Sequence, residues 1–347
     1  MNAATESALR QAWQGRGWLA RLLYPASLVY RMLVALRRAL FALGWRQATR
    51  LPVPVIVVGN VVVGGAGKTP TTIAVVRHLL ARGWRPGVVS RGHGRKGTTP
   101  QAVTNTTDAA DSGDEPLLIR RATGVPVFVD RRRAAAGRAL LSAHPEVNVI
   151  VCDDGLQHLA LARDLELVVF DDRALGNGWL LPAGLMREPW PRNSRVPALV
   201  LHQQRHTAPT FCPGFVARRT LAPDARDAAG HAIRLDTLSA GGPLHALAGI
   251  ARPEVFFDML RERSLALSST FSLSDHADLA PLWPGIAAQC VPGSTLLCTE
   301  KDAVKLWPLL GEDAPRVLAV PLVLSPEPAF FSALDAQLSS RHGPQTP

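Results

Sequence analysis

The sequence predicts an α/β fold: a parallel-sheet domain, a second and smaller α/β unit, and an amphipathic helix ahead of both. Three observations carry this reading. Short apolar runs beginning at Val53, Val147, Leu165 and Thr295 have the length and β-branched content of buried strands, and helix-period segments alternate with them. Glycine clusters stand where strands hand over to helices. The chain has 347 residues, enough for two separate cores. Boundaries follow at 1–48 (helix), 49–202 (first domain), 203–235 (a Pro-, Arg- and Ala-rich linker) and 236–340 (second domain).

The first 50 residues hold eight arginines against one acid, Glu6, so this segment alone carries +7 of the net +10. Such asymmetry argues against a nucleic-acid footprint spread over a folded domain and favours a basic arm facing an anionic surface. Residues 17–47 read as helix, with Pro25 as a break or a start. Met32, Leu33, Leu36, Leu40 and Leu43 share a face, with Arg31 and Arg38 nearly opposite. An interfacial helix and a helix packed on its own domain or on a second subunit both fit this pattern. No uncharged run is long enough to predict a transmembrane span. The four cysteines lack C-x-x-C spacing, so neither a zinc site nor a disulfide framework is expected.

The stretch Val53–Thr72, VPVIVVGNVVVGGAGKTPTT, runs from strand through glycine loop to helix. This is the order of a P-loop, whose backbone amides and lysine cradle phosphates. Val62, Val63, Gly64, Gly65, Ala66, Gly67, Lys68 and Thr69 are the expected nucleotide-binding residues, with Lys68 on the phosphates and the Thr69 hydroxyl on Mg²⁺. The strict G-x-x-x-x-G-K-[ST] pattern asks for glycine where this chain has Val62. Only four lysines occur among 38 basic residues, which makes one inside a glycine loop a stronger signal.

Helix 70–82 closes at Gly83, and strand 85–90 runs into the basic loop Arg91–Gly97, a position that suits an anionic ligand or simply a solvated loop. Asp114 and Glu115 open a helical segment, where paired acids commonly serve as cap and dipole partners. Strand 125–129, helix 131–144 and strand 147–152 follow, the last ending in Asp153-Asp154-Gly155-Leu156-Gln157-His158. An apolar strand ending in acid resembles a Walker-B element whose carboxylate holds Mg²⁺. Strand 165–170 ends in a competing pair, Asp171-Asp172; the first pair is preferred because further polar residues follow it. Residues 176–190 read as a shaped binding loop. Strand 197–202 precedes the linker, and the second unit comprises strand 244–250, helix 253–263, and strands 265–271 and 295–299.

These pieces occur in one order that resembles the tetraacyldisaccharide 4′-kinases, the lipid A 4′-kinases of Gram-negative bacteria: VGGAGKTP, SRGHG (90–94), SGDEP (112–116), DDGLQH (153–158), LPAGLMREP (181–189), GIARPE (249–254), SDH (274–276) and TEKDAVKL (299–306). The resemblance implies two α/β/α units with the active site between them. It implies transfer of the γ-phosphate of ATP to the 4′-hydroxyl of a tetraacylated glucosamine disaccharide 1-phosphate, a lipid A precursor. The expected place is the cytoplasmic face of the inner membrane, with no obligate protein partner. By the same resemblance Asp114 is the general base paired with His276, Glu115 and the Asp153-Asp154 pair lie at the metal, and Arg91, Asn177, Arg187 and Glu188 line the substrate cleft. A sugar hydroxyl has a pKa far above 7, so a carboxylate accepting its proton is chemically apt. The rival is a P-loop ATPase or GTPase switch acting on a protein. Against it, Val63 stands where the partitioning-type ATPases carry a lysine, and TEKD lacks the N-K-x-D spacing of guanine recognition.

Overall fold

The computed structural model describes residues 12–342 apart from 66, 96, 195, 276, 292, 312 and 313, and leaves aside the side chains of 240, 341 and 342. The first lobe begins with α1 (Trp18–Ala42), β1 (Val55–Gly59), α2 (Lys68–Ala81), β2 (Pro86–Ser90) and β3 (Gln101–Val103). It continues with α3 (Ala109–Ser112), α4 (Asp114–Thr123), β4 (Val127–Val129), α5 (Arg133–Ala143), β5 (Val149–Cys152), β6 (Leu165–Phe170), β7 (Ala198–Gln204) and β8 (Phe215–Leu221). The second lobe holds β9 (Asp224–Arg226), β10 (Ala232–Arg234), β11 (Leu244–Ala248), α6 (Pro253–Glu262), β12 (Leu267–Ser272) and α7 (Trp283–Ala287). β13 (Thr295–Thr299), α8 (Glu300–Leu306) and β14 (Arg316–Val320) complete it, and the chain then returns to the first lobe as β15 (Leu322–Pro326) and α9 (Pro328–His342).

The larger sheet has nine strands in the order β15-β8-β7-β6-β1-β5-β2-β4-β3. Its seven inner strands are parallel, and only the two edges, β15 and β3, run antiparallel. β1, β2, β5 and β6 are buried along their whole length, which accounts for their largely apolar sequences, Glu166 of β6 being held there by Arg163 and Arg192. Val75, Val76 and Leu79 of α2, Leu117 of α4 and Phe330, Leu334 and Leu338 of α9 cover one face. Leu140 of α5 and the 156–186 segment cover the other. β1 lies between β5 and β6, so the loops after β1 and β5 emerge side by side at a topological switch point.

The smaller sheet has the order β10-β9-β14-β13-β11-β12 and its own two cores, one under α6 and one under α7 and α8. Residues 203–235, expected as a linker, instead contain β8, which joins the large sheet, and β9 and β10, which start the small one. The lobes are joined by a two-stranded ribbon: β8 runs into β9 beside β14 running into β15, and Ala222 N donates to Pro321 O at 2.9 Å between the two crossings.

α1 is a single 25-residue helix that continues through Pro25. By length and composition alone it is long and apolar enough to cross a membrane. It nonetheless lies along the first lobe. The Ser27 hydroxyl donates to Leu180 O (2.9 Å), the Tyr30 hydroxyl to Arg187 O (3.0 Å), and Tyr24 packs on Trp179 at 4.6 Å between ring centroids.

Candidate active site

The loop after β1 delivers Gly67, whose φ of +70° caps α2 and turns the first helical amides toward the cleft. A side chain at Gly67 would also strike Gln203, since a Cβ there would lie 1.9 Å from its Oε1. Gln203, at the end of β7, clasps the loop: its Nε2 donates to Gly67 O (2.7 Å) and to Thr71 Oγ1 (2.8 Å). Lys68 and Thr69 are the first two residues of α2, and both are buried. Val62 has a physical reason to replace glycine: the residue is fully buried, and its backbone bridges antiparallel to Met186. Val63 gives its N–H to Leu185 O (2.9 Å), and Arg187 N donates to Val61 O (2.7 Å). These contacts fasten the loop to residues 185–187. Ala66 lies outside the described residues.

The two acids after β5 have opposite fates. Burial pushes the Asp153 carboxyl up to about 7, reinforced by Glu115 and Asp154 and opposed by the Thr72 hydroxyl and Lys68. Thr72 donates to Asp153 Oδ1 at 2.7 Å, while Asp153 Oδ2 is buried with no hydrogen-bond partner. For Asp154 burial pulls upward too, but Lys68, Arg187 and Arg133 outweigh it and hold the carboxyl below its ordinary value. Its Oδ1 lies 3.8 Å from Lys68 Nζ and 3.3 Å from Arg187 Nη1. The competing pair after β6 is committed elsewhere. Asp171 holds Arg173 (2.8 Å), and Asp172 bridges to Arg252 of the second lobe (2.6 Å).

Between the lobes lies a cavity of about 650 Å³, with Gly65, Gly67, Lys68, Thr69 and Glu115 on one wall. Ala251, Arg252, Phe256, Asp275 and Lys301 are among the second-lobe residues facing them. Asp114 begins α4 beside Glu115, after Gly113, whose φ is +87°. A Cβ on Gly113 would lie 2.9 Å from His93 O, so the turn can press against the 90–94 loop only with glycine there. Asp114 is buried, and its Oδ2 meets Lys305 Nζ from α8 at 2.7 Å. His276, the expected partner of Asp114, lies outside the described residues.

A second cavity, of about 380 Å³, opens beside Asp154 and is strongly basic: Arg37, Arg38, Arg91, Arg131, Arg133 and Arg187 all line it. His158 lies in its wall, and burial together with Arg133, Arg163, Arg37 and Arg91 holds its imidazole down to about 4. Glu188 is the buried counter-charge, with Arg38 and Arg192 each at 3.3 Å and Gln157 Nε2 donating to it at 2.9 Å. Of the four residues expected to line the substrate cleft, Arg91, Arg187 and Glu188 do face this cavity. Asn177 does not. Its amide nitrogen donates to Gly15 O (3.0 Å) and Ala183 O (2.8 Å), and its Oδ1 accepts from Trp179 N, so it stitches the N-terminal segment to the 177–184 loop.

The family model described as Tetraacyldisaccharide-1-P 4′-kinase matches residues 19–339. This chain belongs to the tetraacyldisaccharide 4′-kinase family. A protein named Tetraacyldisaccharide 4′-kinase from Acidovorax ebreus (strain TPSY) is 57% identical over 332 residues, covering 96% of this chain and 94% of its own length. One of the same name from Polaromonas naphthalenivorans (strain CJ2) is 53% identical over 349 residues, covering 98% and 99%. The crystal structure of LpxK from Aquifex aeolicus, in complex with ATP, matches with a TM-score of 0.77 at 26% identity, over 93% of this chain and 99% of that one. The chain is therefore a lipid kinase of the lipid A branch, with the α/β architecture of that family.

Four residues of this kinase were not anticipated from the sequence. Gln203 clasps the phosphate loop, Arg133 and Tyr30 border the basic cavity, and Lys305 meets Asp114. Each acts across a long sequence separation, so no local pattern marks it. Lys305 left the one available trace, as one of only four lysines in the chain.

Proposed function

We propose that this kinase moves the γ-phosphate of ATP to the 4′-hydroxyl of a tetraacylated glucosamine disaccharide 1-phosphate at the cytoplasmic face of the inner membrane. The observation that carries this is the Lys68–Asp154 contact, which stands between the interlobe cavity and the basic cavity. A phosphate held on the Gly67–Thr69 amides and Lys68 is then adjacent to a site suited to an anionic sugar. The ATP carried by the Aquifex relative supports assigning the nucleotide to the loop.

Asp114 takes the proton from the attacking hydroxyl as the new P–O bond forms. Lys68 and the α2 amides offset charge on the phosphoryl oxygens. The residues present fit Mg²⁺: Asp153 keeps a buried oxygen without a partner, and Glu115 raises the charge around it. Thr69, Asp153 and Glu115 would hold the ion, whereas Asp154 is taken by Lys68 and Arg187. When bound, Mg²⁺ would neutralise charge shared between the β- and γ-phosphates. Arg91, Arg133 and Arg187 orient the acceptor through its 1-phosphate.

α1 supports a membrane-surface position. Trp18, Val29, Met32, Leu33 and Leu36 are exposed along it, while Ser27, Tyr30 and Arg38 are engaged on the lobe. A helix seated this way presents an apolar stripe at the bilayer boundary, and Arg21 and Arg31, which do not line the basic cavity, add about 1 kcal/mol each near anionic headgroups. The test is γ-labelled ATP with the tetraacyl disaccharide 1-phosphate in detergent micelles. Label should appear in the lipid; ATP hydrolysis with an unlabelled lipid would favour a P-loop switch instead.

A further inference from the structure

The α8 helix places two lysines one turn apart; one reaches Asp275 and the other Ala277. Lys301 Nζ lies 2.5 Å from Asp275 Oδ1, and Lys305 Nζ donates to Ala277 O at 3.2 Å. Lys305 Nζ continues to Asp114 Oδ2 at 2.7 Å, so one ammonium joins the second lobe's helix, the second lobe's loop and an acid of the first lobe. The base of α8 is itself fixed. The Thr299 side chain caps the helix by accepting from Asp302 N, and Asp302 Oδ2 accepts from Gly249 N at 3.0 Å at the end of β11. A Cβ on Gly249 would lie 2.7 Å from Asp302 Oδ1, so α8 sits hard against the end of β11.

We propose that Lys305 is a positioning residue for phosphoryl transfer: it holds the Asp114 carboxylate of the first lobe in a fixed place relative to α8 of the second. This rests on reading Asp114 as the proton acceptor. An exposed ion pair at this distance would carry little weight, but here the side chains are only 15% (Lys305) and 9% (Asp114) exposed. An ion pair this far removed from solvent holds its partners in a defined geometry, so losing the Lys305 ammonium disturbs how the Asp114 carboxylate is set. The anchor sits on one lobe and the acid on the other. The proton-accepting geometry is therefore assembled by the lobes together, and the TEKDAVKL segment gains a role beyond holding its own lobe.

The experiment uses the full chain, ATP, Mg²⁺ and the tetraacyl disaccharide 1-phosphate in micelles. Lys305→Met should lower kcat roughly 10²-fold, because a misplaced acid loses most of its proton-transfer advantage. ATP affinity should stay within about threefold, since the phosphate loop is untouched. Lys305→Arg, which keeps the charge, should recover at least about tenfold of the loss. Because Lys305 acts through Asp114, the double variant Asp114→Asn/Lys305→Met should be no slower than Asp114→Asn alone. A Lys305→Met enzyme within about threefold of wild type, beside an inactive Asp114→Asn, overturns the positioning role and leaves Asp114 as acceptor. Additive losses in the double variant, or loss of ATP binding in Lys305→Met, overturn it in favour of a structural ion pair. An active Asp114→Asn instead removes the reading of Asp114 on which it stands.

Discussion

Lys68 Nζ lies 3.8 Å from Asp154 Oδ1, the same oxygen that Arg187 approaches at 3.3 Å. The phosphate-binding lysine is thus parked on a carboxylate that also anchors the basic cavity. Asp154→Asn should free Lys68 to hold ATP more tightly, by about threefold, while kcat falls roughly 10–100-fold as Arg187 loses its anchor. Equilibrium ATP binding and steady-state transfer separate the two effects. Weaker ATP binding with kcat unchanged would refute the arrangement.

Asp153 carries a stability penalty that depends on pH. Its folded pKa of about 7 stands above the ordinary 3.8, so the folded state holds the proton more tightly. The penalty is absent below about pH 4, grows as pH rises, and is complete above pH 7. Without metal, Asp153→Asn should melt about 3 °C or more above wild type at pH 8 and show no gain at pH 4, while losing activity. Calorimetry at the two pH values decides.

His158 has the opposite sign. Its imidazole titrates near 4 rather than the usual 6.5, so the unfolded chain takes up the proton first. No cost exists at pH 7; it sets in as pH falls below 6.5 and is complete by about pH 4. His158→Gln should flatten the fall of the urea midpoint between pH 7 and 4.5. An unchanged slope would mean that the imidazole is solvated.

The outer stripe of α1 should control membrane binding. Met32→Glu with Leu36→Glu places two charges at positions 72% and 58% exposed, so folding should be unaffected. Partitioning onto phosphatidylglycerol vesicles should drop at least about tenfold, since each apolar side chain contributes about 1.5–3 kcal/mol when buried. Flotation reads the result, and equal flotation of both proteins would remove α1 as the contact.

The sequence made much of the first lobe legible because its signals are local. Strand, glycine loop and Lys68-Thr69 adjoin one another, and β5 ends directly in Asp153-Asp154. Residues 203–235 hid three strands because β8 mixes buried and exposed positions and carries arginines, so no clean run marks it. β15 was missed for the same reason: it is a short edge strand with only Leu324 buried. Asn177 also ties down residues 12–15, contacts that no local pattern in the sequence marks. The Asp114–Lys305 pair, joining residues roughly 190 positions apart, became visible only with both lobes in view.

The return of the chain through β15 and α9 sets an order of assembly. β8 has no outer neighbour until Leu322–Pro326 leaves the ribosome, which is after the whole second lobe. At about 5–20 residues per second, that edge stays open for roughly 5–20 seconds. Phe330 and Leu334, which close the α2 face, arrive later still. A nascent chain that already carries its complete phosphate loop therefore lacks the last piece of that loop's supporting sheet. Truncation just before β15 would leave an unpaired edge and an uncovered apolar face, the two features that recruit chaperones or drive aggregation.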